Sequence, residues 1–221
     1  MLTKLLVAIN VIVYLFERLV WGLDPAQLYA HGGLYGPVLQ NGEWWRIITS
    51  AFLHGGDMHL LFNMIALYQV GMFVELIYGT PRMAIIYALA GLAGGVAVTE
   101  FTPDVVTIGA SGAIFGLFGA LAIAGLRLGE RGRSIMQQTT GIIVINLAIS
   151  LWPGSNISIA DHVGGLIVGT LCGLVLFRIP RQRVAVQAQG PEYAQRIGPD
   201  PGAVTIEHSP EDQSPEHTPH P

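Results

Sequence analysis

The strongest constraint on this chain is a series of long segments that are almost free of charged residues. Charged residues make up 12% of the 221 residues and hydrophobic residues 51%, whereas soluble domains carry about 25% charged residues. Six segments approach the roughly 20 apolar residues that cross a bilayer: Leu5–Val20, Leu60–Ile77, Met83–Thr99, Ile108–Leu126, Ile135–Trp152 and Ile157–Ile179. None alternates as a strand would, so we expect six helices and an all-α, polytopic membrane protein.

Two of the six segments need a further argument. The first resembles a signal peptide, but Glu17 and Arg18 follow its apolar core and no small-residue cleavage site is present, so we expect an uncleaved helix. The fifth is the least apolar, because two glutamines and two threonines occupy residues 137–140.

Lysine and arginine predict the orientation, since they concentrate on the cytoplasmic side. The loops at residues 100–107 and 153–158 hold neither residue type. The opposite side holds Lys4, Arg82, Arg127, Arg131, Arg133, Arg178, Arg181 and Arg183. Both termini are therefore expected in the cytoplasm.

Composition also limits the other function classes. The net charge of −4 and the absence of a basic patch argue against nucleic acid as a partner. The single cysteine, Cys172, excludes a disulfide framework and a cysteine-ligated metal cluster. Residues 180–221 are polar and Pro-rich, which predicts a disordered cytoplasmic tail beside a membrane domain at residues 1–179. Its three histidines are interpreted as solvated rather than as metal ligands.

Polar residues concentrate at the outer ends of the even-numbered spans. His59 and Asn63 stand four residues apart at the start of the second span, Ser111 at the start of the fourth, and His162 at the start of the sixth. Because these three helices run in the same direction, their first turns lie at similar depth. Polar side chains inside a membrane are expensive, so this convergence indicates a functional site.

Small residues predict which helices touch. The fourth span carries a stripe of Gly112, Gly116 and Ala120, and the sixth carries Gly165, Gly169 and Gly173. This four-residue spacing lets membrane helices approach closely. Contact between the stripes would bring Ser111, beside the first, within hydrogen-bond reach of His162, beside the second. A neutral histidine that takes the serine proton is the arrangement of a Ser–His dyad.

Other interpretations remain open for each element. A serine or glycine stripe in a membrane helix commonly serves packing, and an intramembrane histidine also suits a proton relay or a cofactor ligand. Hydrolysis by a serine needs hydrogen-bond donors that stabilise the oxyanion, and the Ser111 N–H group is one candidate. The side chains of His59 and Asn63 are further candidates, although interhelical hydrogen bonding explains them equally well. Asp161 precedes His162 and points elsewhere on the helix, so we expect it at the helix start or surface.

The ordered set of motifs resembles the rhomboid family of intramembrane serine proteases in its basic six-helix form. The matching elements are Trp45-Arg46, His59-Leu-Leu-Phe-Asn63, Glu75-Leu-Ile-Tyr-Gly79, Gly109-Ala-Ser111-Gly112, and His162 with Gly165 and Gly169. The resemblance implies that Ser111 is the nucleophile and His162 the general base. It also implies that His59 and Asn63 line the oxyanion hole with the backbone of Ser111 and Ala110.

The resemblance carries further expectations. Trp45 and Arg46 would belong to a loop in the outer leaflet, and Glu75 would tie down the cytoplasmic helix ends. Phe115 stands where some members have a tyrosine under the histidine. The fifth helix and the loop before the sixth would gate the entry of substrates, which are single-span membrane proteins cut near the outer face.

The resemblance implies no metal or cofactor and leaves the oligomeric state undetermined. Membrane lipid is the expected surrounding, and six spans favour a prokaryotic plasma membrane. No His-Glu-x-x-His or Gly-x-Gly-Asp motif supports a zinc or aspartyl protease. The main alternative is a catalytically silent, rhomboid-like binder of membrane helices.

Overall fold

The computed structural model describes residues 1–36, 40–152, 155 and 157–178, so the predicted tail at residues 180–221 lies outside it. Within these residues, eight α-helices follow one another: α1 (Leu2–Phe16), α2 (Pro25–Ala30), α3 (Arg46–Thr49), α4 (Asp57–Tyr78), α5 (Thr80–Phe101), α6 (Ser111–Arg127), α7 (Arg133–Ser150) and α8 (Ile159–Leu176). A π-helical turn (Glu17–Trp21) continues α1, and 3₁₀ turns follow α3 (Ser50–Phe52) and precede α7 (Gly129–Gly132).

The predicted all-α class is confirmed, since the described residues contain no strand beyond one isolated bridge between Leu34 and Thr107. Helices α1, α4, α5, α6, α7 and α8 overlap the six predicted spans, with ends that differ by up to four residues. Within the described chain, three of them, α4, α5 and α8, are long and apolar enough to cross a membrane, and α6 is apolar but shorter, with 17 residues.

The start of the fourth span was predicted three residues too early. The helix begins at Ser111 rather than Ile108, because Gly109 has a φ of +114° and interrupts the helical backbone. The resulting turn directs the Gly109 N–H to the carbonyl oxygen of Ser50, at 2.9 Å. This turn leaves Ser111 as the first residue of α6.

Helix α6 lies at the centre of the bundle, with most of its side chains buried against α4, α5, α7 and α8. Its contact with α8 is backbone against backbone, as the two stripes of small residues predict. A Cβ on Gly165 would collide with the Gly112 carbonyl, and a Cβ on Gly169 would collide with Gly116. The starts of α6 and α8 are therefore held side by side.

The opposite ends of the helices are joined by two polar side chains on α4. Glu75 accepts hydrogen bonds from the N–H groups of Leu2 and Thr3 and from the hydroxyls of Thr3 and Thr80, at 2.7–3.0 Å. The Tyr78 hydroxyl reaches the carbonyl oxygen of Ala120 on α6 at 2.8 Å. These bonds connect α4 to α1, α5 and α6 away from the predicted site.

Candidate functional site

The turn before α6 brings Ser111 next to the polar residues of α4. A Cβ on Gly109 would lie 2.7 Å from His59 Nε2 and 3.9 Å from Asn63 Nδ2. Glycine is therefore required at position 109 for two reasons: its φ is positive, and His59 occupies the space that a side chain would need. The side chains of His59 and Asn63 therefore lie beside the turn that precedes Ser111.

The His162 ring lies over the same helix that begins with Ser111. Ser158 caps α8 by accepting a hydrogen bond from the Asp161 N–H at 3.2 Å, which places His162 in the first turn. The buried His162 ring stacks on Phe115, with 4.0 Å between the ring centroids and 16° between the planes. Phe115 is four residues after Ser111 on α6, so the stack holds the imidazole on the Ser111 face of that helix.

The Ser111 hydroxyl has a different partner from the predicted one. It donates to Asp161 Oδ2 at 2.9 Å, and within the described residues no hydrogen bond joins Ser111 to His162. The expectation for Asp161 is correct in that it lies in the first turn of α8, but wrong in allowing it a surface position, because only 7% of the residue is exposed.

Two glycines explain the inward orientation of Asp161. A Cβ on Gly94 of α5 or on Gly112 of α6 would collide with the carboxylate. The missing side chains therefore leave the space that the Asp161 carboxylate fills between three helices. The glycines were visible in the sequence, but the rotation of α8 that points Asp161 toward them was not.

His162 has a polar neighbour that sequence reasoning missed. His162 Nδ1 and the Ser150 hydroxyl are 2.9 Å apart, and the Ser150 hydroxyl also donates to the carbonyl oxygen of Asn146 at 2.8 Å. Ser150 is the last residue of α7 and is buried. A serine at a helix end carries no signal of its own, because local hydrogen bonding explains it equally well.

The two side chains expected to stabilise an oxyanion, those of His59 and Asn63, lie near the turn before Ser111 but have other polar neighbours. Asn63 Nδ2 donates to the carbonyl oxygen of His59, at 3.0 Å, in its own helix. The His59 ring lies 5.1 Å from the ring of His54. Burial, followed by the proximity of His59, lowers the pKa of His54 to about 3. His54, in the loop before α4, is therefore neutral at physiological pH.

Trp45 and Arg46, which were expected in a loop, are the N-cap and the first residue of α3. The buried Arg46 guanidinium donates to the carbonyl oxygens of Tyr29 and Gly33 and lies over the rings of Tyr29 and Trp45, at 4.3 and 4.5 Å from their centroids. Arg46 therefore connects the start of α3 to α2 and to the segment that follows α2. In the described part of the chain, no cluster of three His, Cys, Asp or Glu side chains has the arrangement of a metal site.

Comparison with known proteins supports the resemblance across the bundle. The Rhomboid domain family matches residues 41–179. The chain is 37% identical to the Rhomboid protease GluP of Bacillus subtilis over 180 residues, which is 79% of this chain and 34% of that protein. It is 34% identical over 170 residues to RHOMBOID-like protein 5 of Arabidopsis thaliana, covering 75% of this chain and 54% of the relative.

A shorter relative matches over most of its length. The Putative rhomboid protease YdcA of Bacillus subtilis is 35% identical over 153 residues, which is 67% of this chain and 75% of that protein. The chain thus spans about a third of GluP and about half of the Arabidopsis relative.

Proposed function

The chain belongs to the rhomboid family, and we propose that it is an intramembrane serine endopeptidase that cuts the transmembrane helices of single-span membrane proteins near the outer membrane face. Two relatives are named as rhomboid proteases. The proposed catalytic residues are Ser111 as nucleophile and His162 as general base. Residues 1–179 form the proposed proteolytic domain, and residues 180–221 form a cytoplasmic tail outside it.

The observation that carries this proposal is the glycine contact between α6 and α8. It sets Ser111 and His162 at the heads of two touching helices, and Phe115 holds the imidazole flat against α6. Proton transfer to His162 requires the Ser111 hydroxyl to leave Asp161, to which it is hydrogen-bonded in this structure. Such a geometry suits proton transfer because acceptor and nucleophile come from a rigid pair of helices.

The proposed reaction follows the chemistry of acyl transfer. Ser111 Oγ attacks the scissile carbonyl carbon while His162 takes the hydroxyl proton, and His162 then returns that proton to the departing amine. The acyl ester on Ser111 is hydrolysed by a water that His162 deprotonates. The N–H groups of Ser111 and Ala110, at the start of α6, stabilise the oxyanion with the side chains of His59 and Asn63.

A second candidate function is a catalytically silent binder of membrane helices. The hydrogen bond from the Ser111 hydroxyl to Asp161 favours this alternative, because that hydroxyl is not bonded to a histidine. Both candidates bind a transmembrane helix, and they differ in whether a peptide bond breaks.

Proteolysis in liposomes distinguishes the two candidates. The purified full chain is incubated with a labelled single-span protein that carries small residues near its outer end. We expect cleavage by the wild-type protein and none by Ser111→Ala or His162→Ala. The variants Ser134→Ala and His31→Ala, which change exposed residues of the same types, serve as matched controls and should cleave normally. Crosslinking of substrate without cleavage by the wild-type protein would favour the binder.

The orientation in a prokaryotic plasma membrane is part of the proposal and has its own test. A cysteine at Pro103 should react with a membrane-impermeant thiol reagent from outside the cell, and a cysteine at the exposed Glu130 should be protected. The native Cys172 is replaced by serine in both variants, so that any signal comes from the introduced thiol. Labelling at Glu130 alone would place the Ser111 end of the bundle on the cytoplasmic side.

A further inference from the structure

The hydrogen bonds around Ser150 determine which nitrogen of a neutral His162 carries the proton. A serine hydroxyl has one proton, and that of Ser150 is donated to the carbonyl oxygen of Asn146 at 2.8 Å. The contact of 2.9 Å between Ser150 Oγ and His162 Nδ1 is therefore a bond in which the ring donates. Nδ1 carries the hydrogen, and Nε2 retains the free lone pair that a general base needs.

Stacking on Phe115 does not by itself determine which ring nitrogen of His162 faces Ser150. The near-parallel rings hold the plane of the imidazole, but a half-turn about the Cβ–Cγ bond exchanges Nδ1 with Cδ2 without leaving that plane. Only one of these two orientations presents an N–H group to Ser150. The Phe115 ring thus sets the plane of His162, and the Ser150 hydroxyl selects the orientation within it.

We propose that Ser150 is a positioning residue for His162, and that it performs from α7 the orienting role that an acidic residue has in a catalytic triad. This inference rests on the proposed function, because it gives His162 the base role. The burial of Ser150 at the end of α7 supports it, since a buried hydroxyl–imidazole bond is shielded from competing water.

Substitutions at Ser150 distinguish the effect of losing the hydroxyl from the effect of changing the volume of the side chain. Ser150→Ala removes the acceptor, whereas Ser150→Thr and Ser150→Val have nearly the same shape and differ in the hydroxyl. Ser155→Ala is a matched control, because Ser155 Oγ bonds the carbonyl oxygen of Ser150 at 3.0 Å and leaves His162 untouched. Unfolding midpoints in detergent show whether each variant keeps the fold.

The first readout is the ¹⁵N NMR spectrum of histidine-labelled protein, with His162 assigned by its loss in His162→Gln. We expect the Nδ1–H form in the wild-type protein, Ser150→Thr and Ser155→Ala, and a mixture of both tautomers in Ser150→Ala and Ser150→Val. An Nε2–H form in the wild-type protein, or identical spectra for Ser150→Ala and Ser155→Ala, would overturn the inference.

The second readout is the kinetics of substrate cleavage. Loss of one orienting hydrogen bond should lower kcat roughly tenfold while KM stays unchanged, and threonine but not valine should restore kcat. The tautomer measurement needs no turnover. If Ser150→Ala changes the tautomer of His162 but the wild-type protein cleaves no substrate, the proposed protease function is refuted. The inferred contact between Ser150 and His162 still holds in that case.

Discussion

Replacing Gly165 with alanine adds one methyl group where the backbones of α6 and α8 are in contact. The new Cβ would lie 2.7 Å from the carbonyl carbon and 3.0 Å from the Cα of Gly112, and closer still to its carbonyl oxygen. Ordinary carbon–carbon contacts require about 3.5–4.0 Å. Because all three atoms belong to the backbone of α6, the strain is relieved only when the two helices separate by about 1 Å.

This separation has a cost in stability and a larger cost in activity. Overpacking of a close contact lowers the free energy of unfolding by about 1–3 kcal/mol. The higher helix propensity of alanine offsets up to about 1 kcal/mol of this loss. We expect the free energy of unfolding to fall by about 1–2 kcal/mol. Ser111 adjoins Gly112 and His162 precedes Gly165 by one turn, so the same shift separates the proposed dyad. A displacement of 1 Å lowers the rate about 100-fold.

Gly141→Ala is the matched control, because Gly141 lies on α7 with no neighbouring atom within 4 Å of its Cβ position. This variant should keep full activity, and its free energy of unfolding should rise by up to about 1 kcal/mol because alanine has a higher helix propensity than glycine. Thermal unfolding in detergent and cleavage of the labelled substrate are measured for both variants. If Gly165→Ala were as stable and as active as Gly141→Ala, the backbone contact would not hold the site together.

Three further predictions follow from single side chains. Asp161→Ala should raise the cleavage rate by about tenfold, since it removes a charged acceptor that competes with His162 for the Ser111 proton; a slower enzyme would show that the carboxylate takes part in the reaction. Glu75→Ala leaves four donors at the ends of α1 and α5 without an acceptor and should lower the free energy of unfolding by about 3–5 kcal/mol. Glu75→Gln keeps one carbonyl oxygen as an acceptor, so its free energy of unfolding should fall by less than that of Glu75→Ala in the same measurement. His54, whose pKa burial lowers to about 3, takes up a proton below pH 6.5 only when the chain unfolds, so stability should fall as the pH decreases from 6.5 toward 3. Unfolding midpoints between pH 4 and 7 should show a shallower slope for His54→Gln, and an equal slope would place the titration elsewhere.

Features that depend on composition and spacing along one helix were predictable from the sequence. The apolar segments predicted the helices, and the four-residue spacing of glycines predicted the contact between α6 and α8. The start of α6 was missed because a single positive φ at Gly109 outweighs the apolar pattern around it. Helix ends depend on individual backbone angles, which averaging over a segment cannot recover.

The contacts of Asp161 and Ser150 were missed for a different reason. Each depends on how one helix is rotated against another, and a rotation of 100° separates neighbouring residues of a helix. The sequence places Asp161 beside His162, but the space that receives its carboxylate is made by Gly94 on α5 and Gly112 on α6. A pocket built by three helices leaves no pattern within any one of them.

The two missed contacts change how the proposed dyad should be understood. A carboxylate buried between membrane helices needs a donor, and the Ser111 hydroxyl serves as one for Asp161. The hydroxyl therefore leaves that acceptor before it reaches His162, whose opposite nitrogen is already committed to Ser150. In the proposed mechanism, a water or an N–H group of the substrate takes over the hydrogen bond to Asp161 as the Ser111 hydroxyl turns away, while His162 is already oriented by Ser150.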